Sequence, residues 1–316
     1  MLGLGNTLSG GIVPAAAAAS NPFTFTVDTT DSNGSASDTF VLPLLDDGVI
    51  DINVDWGDDS TSNITEHDDA AVTHVYSASG TYTIEMSGTI RGFRFAGGGD
   101  RRKMRVISQW GDFNMTFSNT FQDCRDLTVT ASDAPTISTT NMGSTFYRCG
   151  ELTDLGTGIS SWNVSNVTSF SKLFYQDTKF NGDVSSWEVG AGENFSNMFY
   201  RNNPFNADIS GWDTSSATNM NSMLRTHMAP YGNFDQDLSA WDISNVTDMT
   251  SILTGQTLST SIYDEILTAW ADQSVQSDLT PNFGNSTYTS GGEAEDARTI
   301  LIETYNWTIT DGGAAG

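Results

Sequence analysis

Three carboxylates, Asp183, Asp208 and Asp237, recur at intervals of 25 and 29 residues. Two carboxylates flanking a glycosidic bond suffice to hydrolyse it, one as acid and the other as base or nucleophile, so on one face these residues would suit a tailspike-like polysaccharide depolymerase. Their regularity argues the other way. Each lies four residues ahead of a tryptophan in a repeating frame. A turn residue recurs in this way, whereas a catalytic pair would break the repeat. The expectation is therefore no catalytic residue and no enzyme.

Other chemistry is sparse. The three histidines, His67, His74 and His227, have no metal-ligand spacing. Asp46, Asp47, Asp51, Asp55, Asp58 and Asp59 offer hard oxygens, but without the spacing of an EF-hand loop. No cofactor is expected, with calcium on those oxygens kept as a minor alternative. Cys124 and Cys149 lie 25 residues apart. If the repeat stacks at strand spacing, about 4.8 Å, a disulfide is within reach. A two-rung ladder of buried free thiols is the preferred expectation.

The frame that positions these residues is set by Trp162, Trp187, Trp212 and Trp241, spaced 25, 25 and 29 residues apart. Seven residues before the last three stand Phe180, Phe205 and Phe234. Phe170, Phe195, Met220 and Met249 follow the tryptophans by eight residues, and further apolar pairs follow by eleven and twelve. A period of this length marks a solenoid of stacked coils. The short alternating segment ending at each tryptophan is expected to be the strand. Thr168, Thr218 and Thr247 are expected to cap a helical turn, with the later apolar residues on one helical face.

The chain has 316 residues and a formal charge of -26, with only 13 basic residues against 39 acidic ones. Such a surface repels nucleic acid, whose binding requires cations to neutralise phosphates. No apolar run approaches the ~20 residues of a spanning helix, so no membrane insertion is expected. Six of the basic residues lie between Arg91 and Arg105, as either a positive clasp for an acidic neighbour or a solvated loop.

Read in order, the chain divides into four parts. Residues 1–22 form a Gly-spaced docking arm with Leu2, Leu4, Leu8 and Ile12 as apolar anchors. Residues 23–103 show period-two alternation broken by turns, the pattern of a small antiparallel sandwich. Residues 104–258 carry the repeats. Residues 259–316 break the period and should cap the exposed end of the core, with helices around Ile262–Trp270 and Ala294–Tyr305, Thr299-Ile300-Leu301-Ile302 buried, and a last strand at Trp307–Thr310.

Two stretches resemble known families. Val54-Asp55-Trp56-Gly57-Asp58 with His74-Val75-Tyr76 and Gly80-Thr81-Tyr82-Thr83-Ile84 resembles PKD-like domains, which implies an immunoglobulin-like spacer without catalysis. Phe205-Asn206-Ala207-Asp208-Ile209-Ser210-Gly211-Trp212, with its continuation to Met223-Leu224, resembles the BspA-like repeats, also called DUF285. The resemblance runs over roughly 104–310 and implies a leucine-rich-repeat-like solenoid acting in adhesion at a microbial or viral surface. The whole is therefore expected to be mainly β, a sandwich followed by a solenoid with an α/β cap.

The start, Met1-Leu2-Gly3-Leu4-Gly5-Asn6, is similar to the N-termini of phage structural proteins and lacks the pattern of a secretion signal. Together these favour a non-enzymatic phage virion surface protein: a tail fibre, adhesin or capsid decoration protein. A secreted or cell-surface bacterial adhesin is the alternative. The arm and sandwich would bind other virion proteins, copies would oligomerise on the particle, and the solenoid would meet a host glycan or protein. Tyr175, Tyr200, Arg225, His227 and Tyr231 are the candidate contact residues, where the frame carries aromatics or breaks.

Overall fold

Alternating apolar residues make Phe23–Asp28 the strand β1, with Phe23, Phe25 and Val27 fully buried on one face. The computed structural model describes residues 21–226 and 232–315; the anchors Leu2, Leu4, Leu8 and Ile12, with His227 and Tyr231, lie outside them. The strands β2 (Thr39–Val41), β3 (Asp51–Asp55), β4 (Thr61–Ile64), β5 (Thr73–Val75) and β6 (Thr81–Thr89) follow. Then come β7 (Met104–Gln109), β8 (Asn114–Met115), β9 (Thr128–Val129) and β10 (Thr136–Ile137). The helices α1 (Thr260–Ala271) and α2 (Glu293–Glu303) stand near the end. The chain is mainly β.

A six-stranded sheet runs β4-β3-β6-β1-β7-β9, and β2 pairs with β5. Within it, β7 pairs antiparallel with β1 and parallel with β9. The strand that opens the repeat region thus belongs to the sheet of the region before it. Backbone bonds between neighbouring rungs also begin early, with Phe95 N–H donating to Thr120 O and Ala96 N–H to Asn119 O. Pairing thus crosses position 103/104: residues 90–96 bond to residues 113–120, and one hydrophobic core runs through both regions.

The basic cluster closes this junction. Arg91 pairs with Asp47, Arg101 with Asp123, and Arg105 with Asp28 and Asp126. Lys103 is fully buried, its ammonium donating to the carbonyls of Ser35, Ala36 and Thr39, while buried Asp100 accepts from the Ser35 and Val41 amides. A buried charge is tolerable when every donor is met, and here both charges tie the 35–41 loop to the core. Arg91, Arg101, Lys103 and Arg105 thus form a clasp with acidic neighbours, while Arg94 lies over the Phe117 ring.

Beyond it, the repeats lie rung upon rung. Single-residue parallel bridges join Asn141, Ser169, Asn194, Asn219 and Asp248 in succession. From one rung to the next, Phe170, Lys172, Phe174 and Gln176 donate to the carbonyls of Asn194, Ser196, Met198 and Tyr200. The expected placement of strand and helix is reversed. The extended contacts fall seven residues after each tryptophan, not before it, and no α-helix forms between residues 104 and 226 among the described residues. The hydroxyls of Thr168, Thr218 and Thr247 donate to carbonyls of the preceding rung, Thr140, Glu193 and Thr218, instead of capping.

Left-handed residues, two in most rungs, explain the false helical spacing. Lys172 and Gln176 have φ of 59° and 61°, and Asn197 and Arg201 of 58° and 60°. They fold the chain so that Phe170, Leu173 and Phe174 share the core through single i→i+3 turns, such as Leu173 N–H to Phe170 O, and not through an α-helix. The unusual stretch at Gly190–Glu193 keeps the ladder through its backbone, Glu193 N–H donating to Thr168 O. Gly192 is required there, since a Cβ would meet the Phe195 ring at 2.4 Å.

The tryptophans form a second ladder. The indole N–H of Trp187 donates to Ile159 O, that of Trp212 to Val184 O, and that of Trp241 to Ile209 O. Trp270, 29 residues after Trp241, continues it from α1 by donating to Leu238 O. Phe180, Phe205 and Phe234 stack in parallel beside them, with centroids 6.4 and 6.2 Å apart. At the end, Asp311 accepts from Tyr263 of α1 and Arg298 of α2. Of the stretch expected to be buried in α2, only Leu301 is, while Ile300 is 44% exposed because the helix turns that side outward. Trp307–Thr310 makes a single bridge, Asn282 to Thr310, in place of a strand.

Replacing Trp212 by Phe strands the Val184 carbonyl and leaves a cavity, and should cost about 2–3 kcal/mol in denaturant unfolding. Trp162 is equally enclosed, but its indole nitrogen has no partner. Trp162→Phe should therefore cost roughly 1 kcal/mol less, and equal losses would contradict the ladder's contribution.

Candidate binding surface

The carboxylates that opened the question of catalysis build turns. The Asp183 carboxylate accepts from the Ser185 amide, Asp208 from the Ser210 amide and hydroxyl, and Asp237 from those of Ser239. Hydrogen bonds from Ser185 and Ser210 hold the carboxyls of Asp183 and Asp208 below the usual range. A general acid needs the opposite shift.

The constellation nearest to a nucleophilic triad is Ser60, His74 and Asp58. Both the serine hydroxyl, at 3.5 Å, and the Asp58 carboxylate, at 2.9 Å, address the same nitrogen, Nε2 of His74. A relay needs them on opposite ring nitrogens. His74 instead stacks on Trp56 at 4.6 Å and meets Tyr76 edge-on, as a packed residue of the sheet region. Among the described residues no group of three or more His, Cys, Asp or Glu side chains could hold a metal.

Of the candidate contact residues, the structure brings Tyr175, Tyr200 and Arg225 together and adds Tyr147. Tyr147 stacks on Tyr175 at 4.8 Å with 5° between planes, and Tyr175 on Tyr200 at 4.7 Å and 11°. These are strand spacings, because each ring stands one residue after a core phenylalanine, Phe146, Phe174 or Phe199, on successive rungs. Arginines cap the stack: Arg148 lies 5.8 Å from the Tyr147 centroid, while Arg201 and Arg225 lie 5.6 and 5.7 Å from that of Tyr200. Burial, then the neighbouring tyrosines, pushes the Tyr175 phenol upward, keeping it an O–H donor. Tyr147 was legible in the sequence, since Phe-Tyr recurs at 146, 174 and 199.

Beneath this column runs a buried one: Cys124, Cys149, Asp177 and Asn202. Both cysteines are free thiols, and burial pushes both well above the usual thiol range. Asp177 accepts from the Cys149 amide through one oxygen, while its other oxygen and both polar atoms of the Asn202 side chain have no hydrogen-bond partner. Burial pushes the Asp177 carboxyl well above its ordinary range.

A family model described as "Mycoplasma protein of unknown function, DUF285" matches residues 115–230 and again residues 193–290. No curated protein and no solved structure matches the chain.

Two outcomes follow from the buried column. The folded-state pKa of Asp177 lies above its unfolded value near 3.8, so the penalty for burying it is absent below that pH and grows as pH rises through the folded pKa. Asp177→Asn, which copies the residue at 202, should stabilise the chain by about 1 kcal/mol or more at neutral pH and not at pH 3; unfolding curves that differ equally at both pH values would exclude this origin. The thiols should resist an aromatic disulfide reagent until denaturant is added, then both react. Prompt labelling of native protein would contradict their enclosure.

Proposed function

The chain belongs to the DUF285 family, and from that premise we propose that it is a surface-displayed, non-enzymatic attachment protein. The observation that carries this is the outward column of Tyr147, Tyr175 and Tyr200 with its arginines. Aromatic and arginine side chains are the residues that dominate contact energy at interfaces, and the rungs repeat the tyrosines at fixed pitch with arginines at both ends. We read residues 104–258 as a leucine-rich-repeat-like solenoid and 259–316 as its cap. Residues 23–103 serve as a PKD-like sandwich that spaces it from an anchor at residues 1–22.

In its finer form the proposal assigns the protein to the outside of a phage virion, as a tail fibre, adhesin or capsid decoration protein. The reading rests on the resemblance that the sequence alone suggests between Met1-Leu2-Gly3-Leu4-Gly5-Asn6 and the N-termini of phage structural proteins. Copies associate on the particle through the arm and sandwich, and the column meets a host-surface glycan or protein.

Two measurements test it. Purified full-length protein should sediment with intact host cells, and quadruple replacement of Tyr147, Tyr175, Tyr200 and Arg225 by Ala should lower the bound fraction at least about ten-fold. Equal retention of the variant would move attachment off this face. Antibody labelling should decorate purified particles; recovery solely from a bacterial envelope fraction would replace the virion with a cell surface.

A further inference from the structure

The distribution of charge partners separates the column from the rest of the surface. At the junction and in the cap most cations are matched with carboxylates: Arg91, Arg101, Lys103, Arg105, Arg125 and Arg298 have ion-pair partners, while Arg94 lies over the Phe117 ring and Arg102 has no carboxylate partner among the described residues. Between residues 126 and 226 the cations are Arg148, Lys172, Lys179, Arg201 and Arg225. Among the described residues only Lys179 has a carboxylate within ion-pair distance, Glu151. Arg148, Arg201 and Arg225 rest on tyrosine rings instead.

That pattern is unusual on a chain of formal charge -26, where carboxylates are plentiful. The Nε atoms of Arg201 and Arg225 are buried without an acceptor, and the ring faces that hold these guanidiniums leave their charge unneutralised. The stacked rings cover each other's faces, so the column offers its phenol edges. The Tyr147 and Tyr175 hydroxyls make no hydrogen bond among the described residues. On neighbouring rungs Ser171 and Ser196 hydroxyls face one another at 2.9 Å, and exposed Lys172 stands in the rung of Tyr175.

We infer that this column binds an anionic polysaccharide, its acidic groups held by Arg148, Arg201 and Arg225 and its hydroxyls by the tyrosine edges, along the axis of the rungs. The inference rests on the attachment reading and names the ligand class. Guanidinium geometry suits carboxylate and sulfate alike. A polysaccharide is favoured over an acidic protein surface because the tyrosine edges form a narrow line at strand pitch, with Arg148 at one end and Arg201 and Arg225 at the other, which a linear polymer can follow.

The backbone supplies a conservative test. Arg148 and Arg201 have φ of 61° and 60°, and Gln176 occupies the equivalent position in the rung between them at 61°. Arg148→Gln and Arg201→Gln therefore introduce a residue that this position already accepts, and Arg225→Gln completes the set. Full-length protein would be titrated with polygalacturonate, dextran sulfate, neutral dextran and poly-L-glutamate, with thermal unfolding as a check on folding. The expected result is binding to polygalacturonate, dextran sulfate or both, weakening as salt is raised. The triple variant should bind at least about ten-fold more weakly with an unchanged unfolding midpoint, and Tyr175→Phe should lose a smaller, few-fold part.

Preference between the first two polymers identifies the acidic group. Binding to neither, equal binding of neutral dextran, equal or tighter binding of poly-L-glutamate, or an unaffected triple variant would overturn the inference. If the triple variant has a lowered unfolding midpoint, Arg225→Gln alone decides by the same criterion. Retention on host cells is read separately: cell binding without polyanion binding removes the ligand class and leaves attachment standing, whereas loss of cell binding removes attachment itself.

Discussion

Backbone hydrogen bonds from one rung to the next constrain everything else in the repeat region. Because Phe170, Lys172, Phe174 and Gln176 all donate to the following rung, neighbouring rungs are locked in register over seven residues of chain, 170–176. A residue type that works at one offset therefore meets the same residue above and below, and the ladders of tryptophan, phenylalanine and tyrosine are consequences of that lock. The backbone bears a cost for it, since non-glycine residues in the left-handed region cost roughly 1–2 kcal/mol each. The satisfied carbonyls and the continuous apolar core offset that cost.

The same register governs what is buried. The slot two residues after each tyrosine position lies inside, and it accepts Cys124, Cys149, Asp177 and Asn202 in turn. Thiols suit it, whereas the carboxyl and the amide retain unmatched polar atoms there. The sequence tolerates this strain in the middle of the stack, where the surrounding ladder is complete on both sides.

Period and core were legible in the sequence because they depend on residue type: each tryptophan and phenylalanine in the frame is buried where its offset implies. The shape of the rung was not. Phe170, Leu173 and Phe174 have the three-and-four spacing of a helix face, and the residues that bend the chain, Ser144, Lys172, Asn197 and Ser222 among them, share no chemistry that marks a left-handed position. Trp270 shows the opposite case, a spacing of 29 residues in plain view, concealed by its position in a helix. Of the contact residues, Tyr175 and Tyr200 were found as aromatics in the frame, but the arginines matter through a lack of carboxylate neighbours that only three dimensions reveal. The pairing across the junction was hidden for a related reason: β1 with β7 joins residues about 80 apart, and alternation alone does not report partners.

The two ends of the rung ladder differ in kind. At one, β7 already holds β1 on its free side; at the other, α1 and α2 lie over the last turns, pinned through Asp311. An open row of amides and carbonyls is a template on which another copy can polymerise. With the row at β7 occupied, another copy finds no free backbone there to pair with, so the array keeps a fixed beginning however densely copies are crowded together.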